Sequence, residues 1–282
     1  MILNVFEMFS YDFVIKALVV GVAISICAAL LGVSMVLKKN SMIGDGLSHV
    51  GFGAAAIASA LNFAPLAFAI PIVIISSIFI LKLTERSKIH GDAAIAIIAT
   101  SSLAIGYAVT HAVGTNKDIE GYLYGSIYGI TTSELILSVA LSVLVIGAFI
   151  LLYNKIFAVT FDEVFFKSTN AKENGSYLKQ RIKNEIYPIT IAVLCSLTVV
   201  VGMRLMGALL ISSLIIFPTI SARGIFKTYR SVTIASVVIS IVCFLTGLII
   251  NLYIDLPIGS TIVIVNLIVL ILFMTIGKIM KR

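Results

Sequence analysis

Apolar residues run along this chain in blocks of about twenty, separated by short polar stretches rich in lysine, arginine and glycine. The blocks fall at about 13–37, 43–61, 64–81, 93–113, 132–153, 187–203, 205–222, 231–252 and 257–277. A helix rising 1.5 Å per residue needs about 20 residues to cross a hydrocarbon core about 30 Å thick, so each block is near the length of a span. The alternation in segments of about 10 residues that marks a transmembrane barrel is absent. The expected architecture is an all-α integral membrane protein, a polytopic helical bundle forming one transmembrane domain over residues 1–282. Eight blocks read as firm transmembrane helices. The ninth, 205–222, reads as a short or broken span, because it opens near Gly202 and Gly207 and contains Pro218, which cannot donate to a helix ladder. A broken helix at membrane depth survives only where protein or a cavity covers its freed backbone groups.

Two connections stand out by size. The segment 114–131 is rich in glycine and tyrosine and reads as a partly embedded element on one side, since aromatic rings favour the interface. The other, 154–186, is the one polar stretch long enough to fold outside the membrane. It opens with FDEVFFKST, in which Phe161, Phe165 and Phe166 would share one face of a short helix and Asp162 and Glu163 another. No solenoid repeat and no second domain are visible.

Composition sharpens the membrane reading. Sixty per cent of residues are apolar and 12% are charged, about half the charged share of a soluble domain, so no water-facing surface can be built all round. The net charge of +7 is a topology signal and gives no reason to expect nucleic acid. With the N-terminus outside, Lys38, Lys39, Lys82, Arg86, Lys88, Lys155, Lys183, Arg223, Lys227, Arg230 and Lys278 all fall on the inner side, while Lys16, Lys117 and Arg204 lie near or beyond the outer surface. The positive-inside rule therefore selects an outside N-terminus and a cytoplasmic C-terminus in the plasma membrane. The opening MILNVFEMFSYDF carries Glu7 and Asp12 and no basic region, which favours a retained first span over a cleaved leader. Cys27, Cys195 and Cys243 lie in apolar runs without metal-ligand spacing and read as small buried hydrophobes.

The second block holds the informative chemistry, SMIGDGLSHVGFGAAAIASA. Asp45 and His49 stand at i and i+4, one turn apart on one helix face. An aspartate at the centre of a span costs about 2.5–3.5 kcal/mol on insertion scales, so two ionisable groups on one face suggest a lined path or site. Carboxylate oxygen with imidazole nitrogen suits borderline divalent ions such as zinc and manganese. The plainer alternative is that Asp45 is an acid stabilised by the start of its helix and His49 hydrogen-bonds a neighbour. His111, four residues after Tyr107, is a weaker candidate for an outer vestibule. His90 reads as solvated, Asp92 as a helix N-cap, and Asp255 as a turn acid before Pro257. There is no G-x-x-x-x-G-K-[ST], HExxH, CxxC or GxSxG, so the chain is expected to be a transport subunit and not an enzyme.

These segments jointly resemble a known family. LLGVSMVLKKNSMIGDGLSHVGFGAA resembles the signature of the zinc and manganese permeases of bacterial ABC importers, and MRLMGALLISSLIIFPTISAR their late motif. TFDEVFFKST is similar to their coupling segment, LYGSIYGIT to their outer segment, and DLPIGSTIV to the entry of their last helix, so the likeness covers about residues 12–277. The resemblance implies a permease of divalent metal ions, with Asp45 and His49 as the transient ion-coordinating pair. It implies no permanently bound cofactor, the ion being cargo. It also implies a second permease copy across a central path, cytoplasmic ATP-binding subunits gripping Phe161, Asp162, Glu163, Phe165 and Phe166, and an extracellular metal-binding protein. The VGFGAA after His49, without the proline of many manganese-type members, together with the opening EMFSYDF, favours zinc over manganese or iron. Two other functions compete: a secondary transporter driven by an ion gradient, to which an intramembrane Asp45–His49 pair is equally useful, and a scaffold for other membrane subunits. Missing inverted repeats weigh against the first, and the polar helix face weighs against the second.

Overall fold

Long apolar runs become helices because, in hydrocarbon, each backbone N–H and C=O must find its partner within its own segment. The computed structural model describes residues 11–86, 91–114, 125, 129–162, 166, 177–254 and 256–280. Among these residues the chain forms ten helices and no strand. They are α1 (Asp12–Leu37), α2 (Ile43–Ala60), α3 (Pro65–Arg86), α4 (Gly91–Val113), α5 (Thr132–Leu151), α6 (Tyr153–Phe161), α7 (Tyr177–Met206), α8 (Ala208–Ile225), α9 (Tyr229–Tyr253) and α10 (Ile258–Met280).

Eight of them are long and apolar enough to cross a membrane: all but α2 and α6. The count matches the sequence expectation of eight firm spans and a weaker ninth, and 208–225, expected to be short or broken, is short, at 18 residues the shortest of the eight, but unbroken. Residues 208–225 form one uninterrupted helix with Pro218 inside it, buried among α1, α9 and α10. The break lies before it, at Gly207, whose φ of +89° is a left-handed value that glycine adopts without steric cost. The span of marginal apolarity is α2, diluted by Asp45, His49 and four glycines. Neighbouring helices make that tolerable, since α2 packs on α3, α4, α7 and α8 and faces little lipid.

Close helix approach explains the glycines of α2. A Cβ on Gly53 would stand 2.4 Å from the backbone oxygen of Ser102, and one on Gly106 would stand 2.8 Å from Gly53 Cα, so α2 and α4 touch backbone to backbone. On the other side of the bundle α1 runs beside α5, α7, α8 and α9, and α10 closes against α8 and α9. The buried core joins Ile24 and Leu31 of α1, Leu47 of α2, Met203 of α7, and Leu210 and Ile211 of α8. Large apolar side chains on α5 and α10, among them Ile136, Val143, Ile150, Ile264, Ile268 and Leu272, are turned outward. Bilayer contact is what such a surface is made for.

The ends are tied down by local chemistry. Thr131 and Glu134 form a reciprocal capping box at the start of α5, and the same Glu134 meets Arg204 of α7 at 3.3 Å. Ile130 is buried, and Gly125 lies against the backbone of Met206 and Gly207 at the α7–α8 break. Asp92 falls in the first turn of α4, one residue inside the helix, and not at the N-cap expected of it. It remains where the helix dipole favours an acid. The expectations for His90, Glu163, Phe165 and Asp255 fall outside the described residues, as does most of 114–131.

Candidate functional site

The site grows from the turn between α1 and α2. Lys39 adopts φ +60°, and Asn40 N bonds back to Met35 O (2.9 Å), closing α1 so that α2 can start at once. Asp45 then sits in the first turn of α2 and His49 one turn later. From Ile43 through Ala56, every residue is buried except these two. Their side chains are 41% and 32% exposed, respectively, so the polar face expected at i and i+4 is open while the rest of that stretch is sealed.

His49 Nε2 lies 3.7 Å from Asp45 Oδ2. That is too long for a hydrogen bond, so neither atom saturates the other. Ligand atoms about 3.4 Å apart are what a tetrahedral ion with bonds of about 2.1 Å spans. The other carboxylate oxygen, Asp45 Oδ1, is 3.2 Å from the hydroxyl of Ser212, which can donate to it or to Ala208 O at 3.0 Å. His49 Nδ1 is buried and has no hydrogen-bond partner among the described residues. The arrangement can offer one carboxylate oxygen and one imidazole nitrogen to a cation, and no third histidine, cysteine or acid joins them among the described residues.

Sequence reasoning does not single out Ser212. Its neighbour Ser213 is of the same type but is buried and donates to Leu210 O (2.8 Å). Only the packing of α8 on α2 shows which serine faces Asp45, on the open side that also carries Leu209 and Ile216.

His111 does not join the pair. It lies exposed in the last turn of α4, while the glycine next to Asp45, Gly46, packs against Ile95 near that helix's start. The intervening helix puts His111 about 24 Å away along the axis. The proposed coupling residues also divide. Phe161 ends α6, is 61% exposed, and its ring lies 4.9 Å from Phe157 and 5.9 Å from Tyr229. Asp162 follows in extended conformation, exposed. Phe166, expected on the same outward face, is instead turned inward at 8% exposure, edge-on to Tyr187 of α7 at 5.4 Å. Its apolar ring is covered by the base of α7, which extends past its membrane-length portion to Tyr177.

The model of the ABC 3 transport family matches residues 10–277. The high-affinity zinc uptake system membrane protein ZnuB of Haemophilus influenzae is 28% identical over 255 residues, covering 90% of this chain and 94% of that protein. The manganese import system permease protein ScaB of Streptococcus parasanguinis is 25% identical over 256 residues, covering 91% of this chain and 88% of its own length. Among solved structures, PsaBC from Streptococcus pneumoniae in complex with Fab superposes with a TM-score of 0.79 at 22% identity, over 93% of this chain and 91% of that one, and so shares the fold. With the family model spanning nearly the whole chain, the protein belongs to the ABC 3 transport family and is a permease of the metal-transporting ABC type.

Proposed function

We propose that this permease is the membrane-spanning subunit of an ATP-driven importer of divalent metal ions, zinc foremost, and that Asp45 and His49 coordinate the ion in transit. The observation that carries the reading is their setting: the two open side chains on an otherwise buried stretch of α2, with free ligand atoms 3.7 Å apart. Two ligands suit a carrier. A closed structural zinc site binds by about 10–16 kcal/mol and would trap its ion. A histidine whose second nitrogen has no acceptor among the described residues is also a less firmly held ligand, which favours release. A second copy of the chain would bring a matching pair across a shared path.

The chain has no phosphate-binding loop, so ATP hydrolysis belongs to separate ATP-binding subunits. Their docking point is the end of α6, where Phe161 and Asp162 are exposed at the basic end of the bundle. A metal-binding protein delivers the ion at the opposite face. Zinc is the first choice on the sequence around His49; manganese or iron is the second reading, favoured by the likeness to the manganese permease.

Radiometal uptake by cells holding equal amounts of each variant tests both. His49→Ala and Asp45→Asn should each abolish zinc uptake while leaving the protein in the membrane. Wild-type rates in both would make Asp45 a helix-start acid and nothing more. Manganese carried in preference to zinc would select the second reading. Uptake that persists without ATP-binding subunits would replace the ATP-driven scheme with a gradient-driven one. Phe161→Asp should lose copurification of the ATP-binding subunit.

A further inference from the structure

At the end of the bundle that carries the basic connections, α1, α5 and α9 leave a groove of about 550 Å³. Leu30, Phe149 and Ile234 make its apolar floor, and Tyr153, Asn154 and Arg230 stand at its polar mouth. The groove opens onto the outward apolar surface. Ile234 (56% exposed) continues into Val238 and Val242 along α9, and Ile150 (65%) into Val143 and Leu144 along α5. Whatever fills it therefore comes from the bilayer. Among the described residues, Arg230 has no ion-pair or hydrogen-bond partner, and neither α6 nor α9 carries an acidic residue. Thr228 caps α9 through Ser231 N (3.2 Å), and the first backbone bond runs from Val232 N to Thr228 O (2.9 Å). The amides of Tyr229 and Arg230 thus lack helical acceptors at the positive end of a 25-residue helix.

An apolar trough with the Arg230 guanidinium at its mouth, beside the start of a helix whose first amides lack helical acceptors, complements an acyl chain that ends in a phosphate. We propose that this groove binds one anionic phospholipid, its phosphate held by Arg230 and the start of α9 and one acyl chain laid along Leu30, Phe149 and Ile234. The lipid sits beside the rings that join α6 to α9, Tyr153 and Phe157 lying 5.5 and 5.1 Å from Tyr229, and so fastens the helix that leads to Phe161. The binding itself does not depend on the transported ion or the ATP-binding subunit. Only the leaflet that supplies the lipid rests on the proposed orientation.

The chain contains no tryptophan, so one can be placed as a lone fluorophore. Ile150→Trp puts it in the groove, and Val143→Trp puts it on α5 away from the groove. Each full-length variant is reconstituted into phosphatidylcholine vesicles containing brominated phosphatidylglycerol or brominated phosphatidylcholine as quencher. Ile150→Trp should be quenched by the anionic lipid with about fivefold preference, the order expected of one arginine at a bilayer surface, and Val143→Trp with none. Adding Arg230→Gln should bring the preference near one, whereas Lys278→Gln, a basic residue at the same end outside the groove, should leave it intact. Preference that survives Arg230→Gln, appears equally at Val143→Trp, or is lost equally with Lys278→Gln overturns the proposal. So does an absence of quenching by either lipid together with cross-linking of two copies at the groove. Should Arg230→Gln fail to insert, competition on the Ile150→Trp chain decides: unbrominated phosphatidylglycerol must relieve the quenching better than phosphatidylcholine, and equal relief sinks the site.

Discussion

Asp45 is a costly residue for a helix in a bundle of this kind, a carboxylate whose helix is, His49 apart, made of small and apolar side chains. Three features offset the cost: its place in the first turn of α2, the Ser212 hydroxyl at 3.2 Å, and an opening that leaves 41% of the side chain exposed. Ser212 holds one oxygen while the other points to His49, so it should orient the carboxylate and not bind the ion outright. Ser212→Ala is expected to raise the metal concentration for half-maximal uptake severalfold, with membrane insertion unchanged. A hydrogen bond to a charged group contributes about 1.5–3 kcal/mol, less where water reaches it, as here. Ser212→Thr keeps the hydroxyl and should restore most of the loss. Uptake kinetics that do not distinguish Ala from Thr would remove Ser212 from the site. Asp45 and His49 could be picked from the sequence because their i, i+4 spacing is a property of one helix. Ser212 could not, because its role depends on how a helix 167 residues further along the chain packs.

At the level of elements, the contact between α2 and α4 positions the site, and it depends on glycine. Gly53→Ala places a methyl 2.4 Å from a backbone oxygen that cannot turn aside, so the helices must separate. Overpacking of this kind costs about 1–3 kcal/mol. Gly147→Ala on α5 meets nothing within 4 Å and should be neutral or stabilising by about 0.5–1 kcal/mol through helix propensity. Thermal unfolding of the two variants in detergent should give a lowered midpoint for the first and an unchanged or raised one for the second. The same element-level logic explains why Pro218 does not break α8. Proline removes one donor from the ladder, but α1, α9 and α10 surround the helix, and the chain bends at Gly207, where glycine permits a left-handed φ.

For the whole molecule, the outward apolar faces of α5 and α10 give the bundle a lipid-facing surface, and the basic connections at one end predict its orientation. Arg204, the one basic residue of α7 beyond the buried core at the other end, is neutralised by Glu134, so little positive charge opposes the orientation. Reporter fusions after Lys88 and after Lys183 should both map to the cytoplasm. A periplasmic or extracellular signal from either would invert the topology and, with it, the side to which the proposed docking residue Phe161 is presented.

The primary structure alone determined the class of this protein. Blocks of apolar residues long enough to span, too little charge for a soluble surface, and an Asp–His pair one turn apart follow from composition and helical period, which act within a single segment. Tertiary structure decided what depends on segments meeting. It kept 208–225 whole with Pro218 inside it and enclosed the weakly apolar α2, since burial among neighbouring helices decides what a weak helix can bear. It turned Phe166 inward against Tyr187 and left Phe161 exposed, a difference that the pattern FDEVFF cannot carry because it depends on where the base of α7 lies. It separated His111 from Asp45 and His49, and it brought Ser212 to Asp45. Local periodicity sets which face a residue occupies; only packing sets what that face meets.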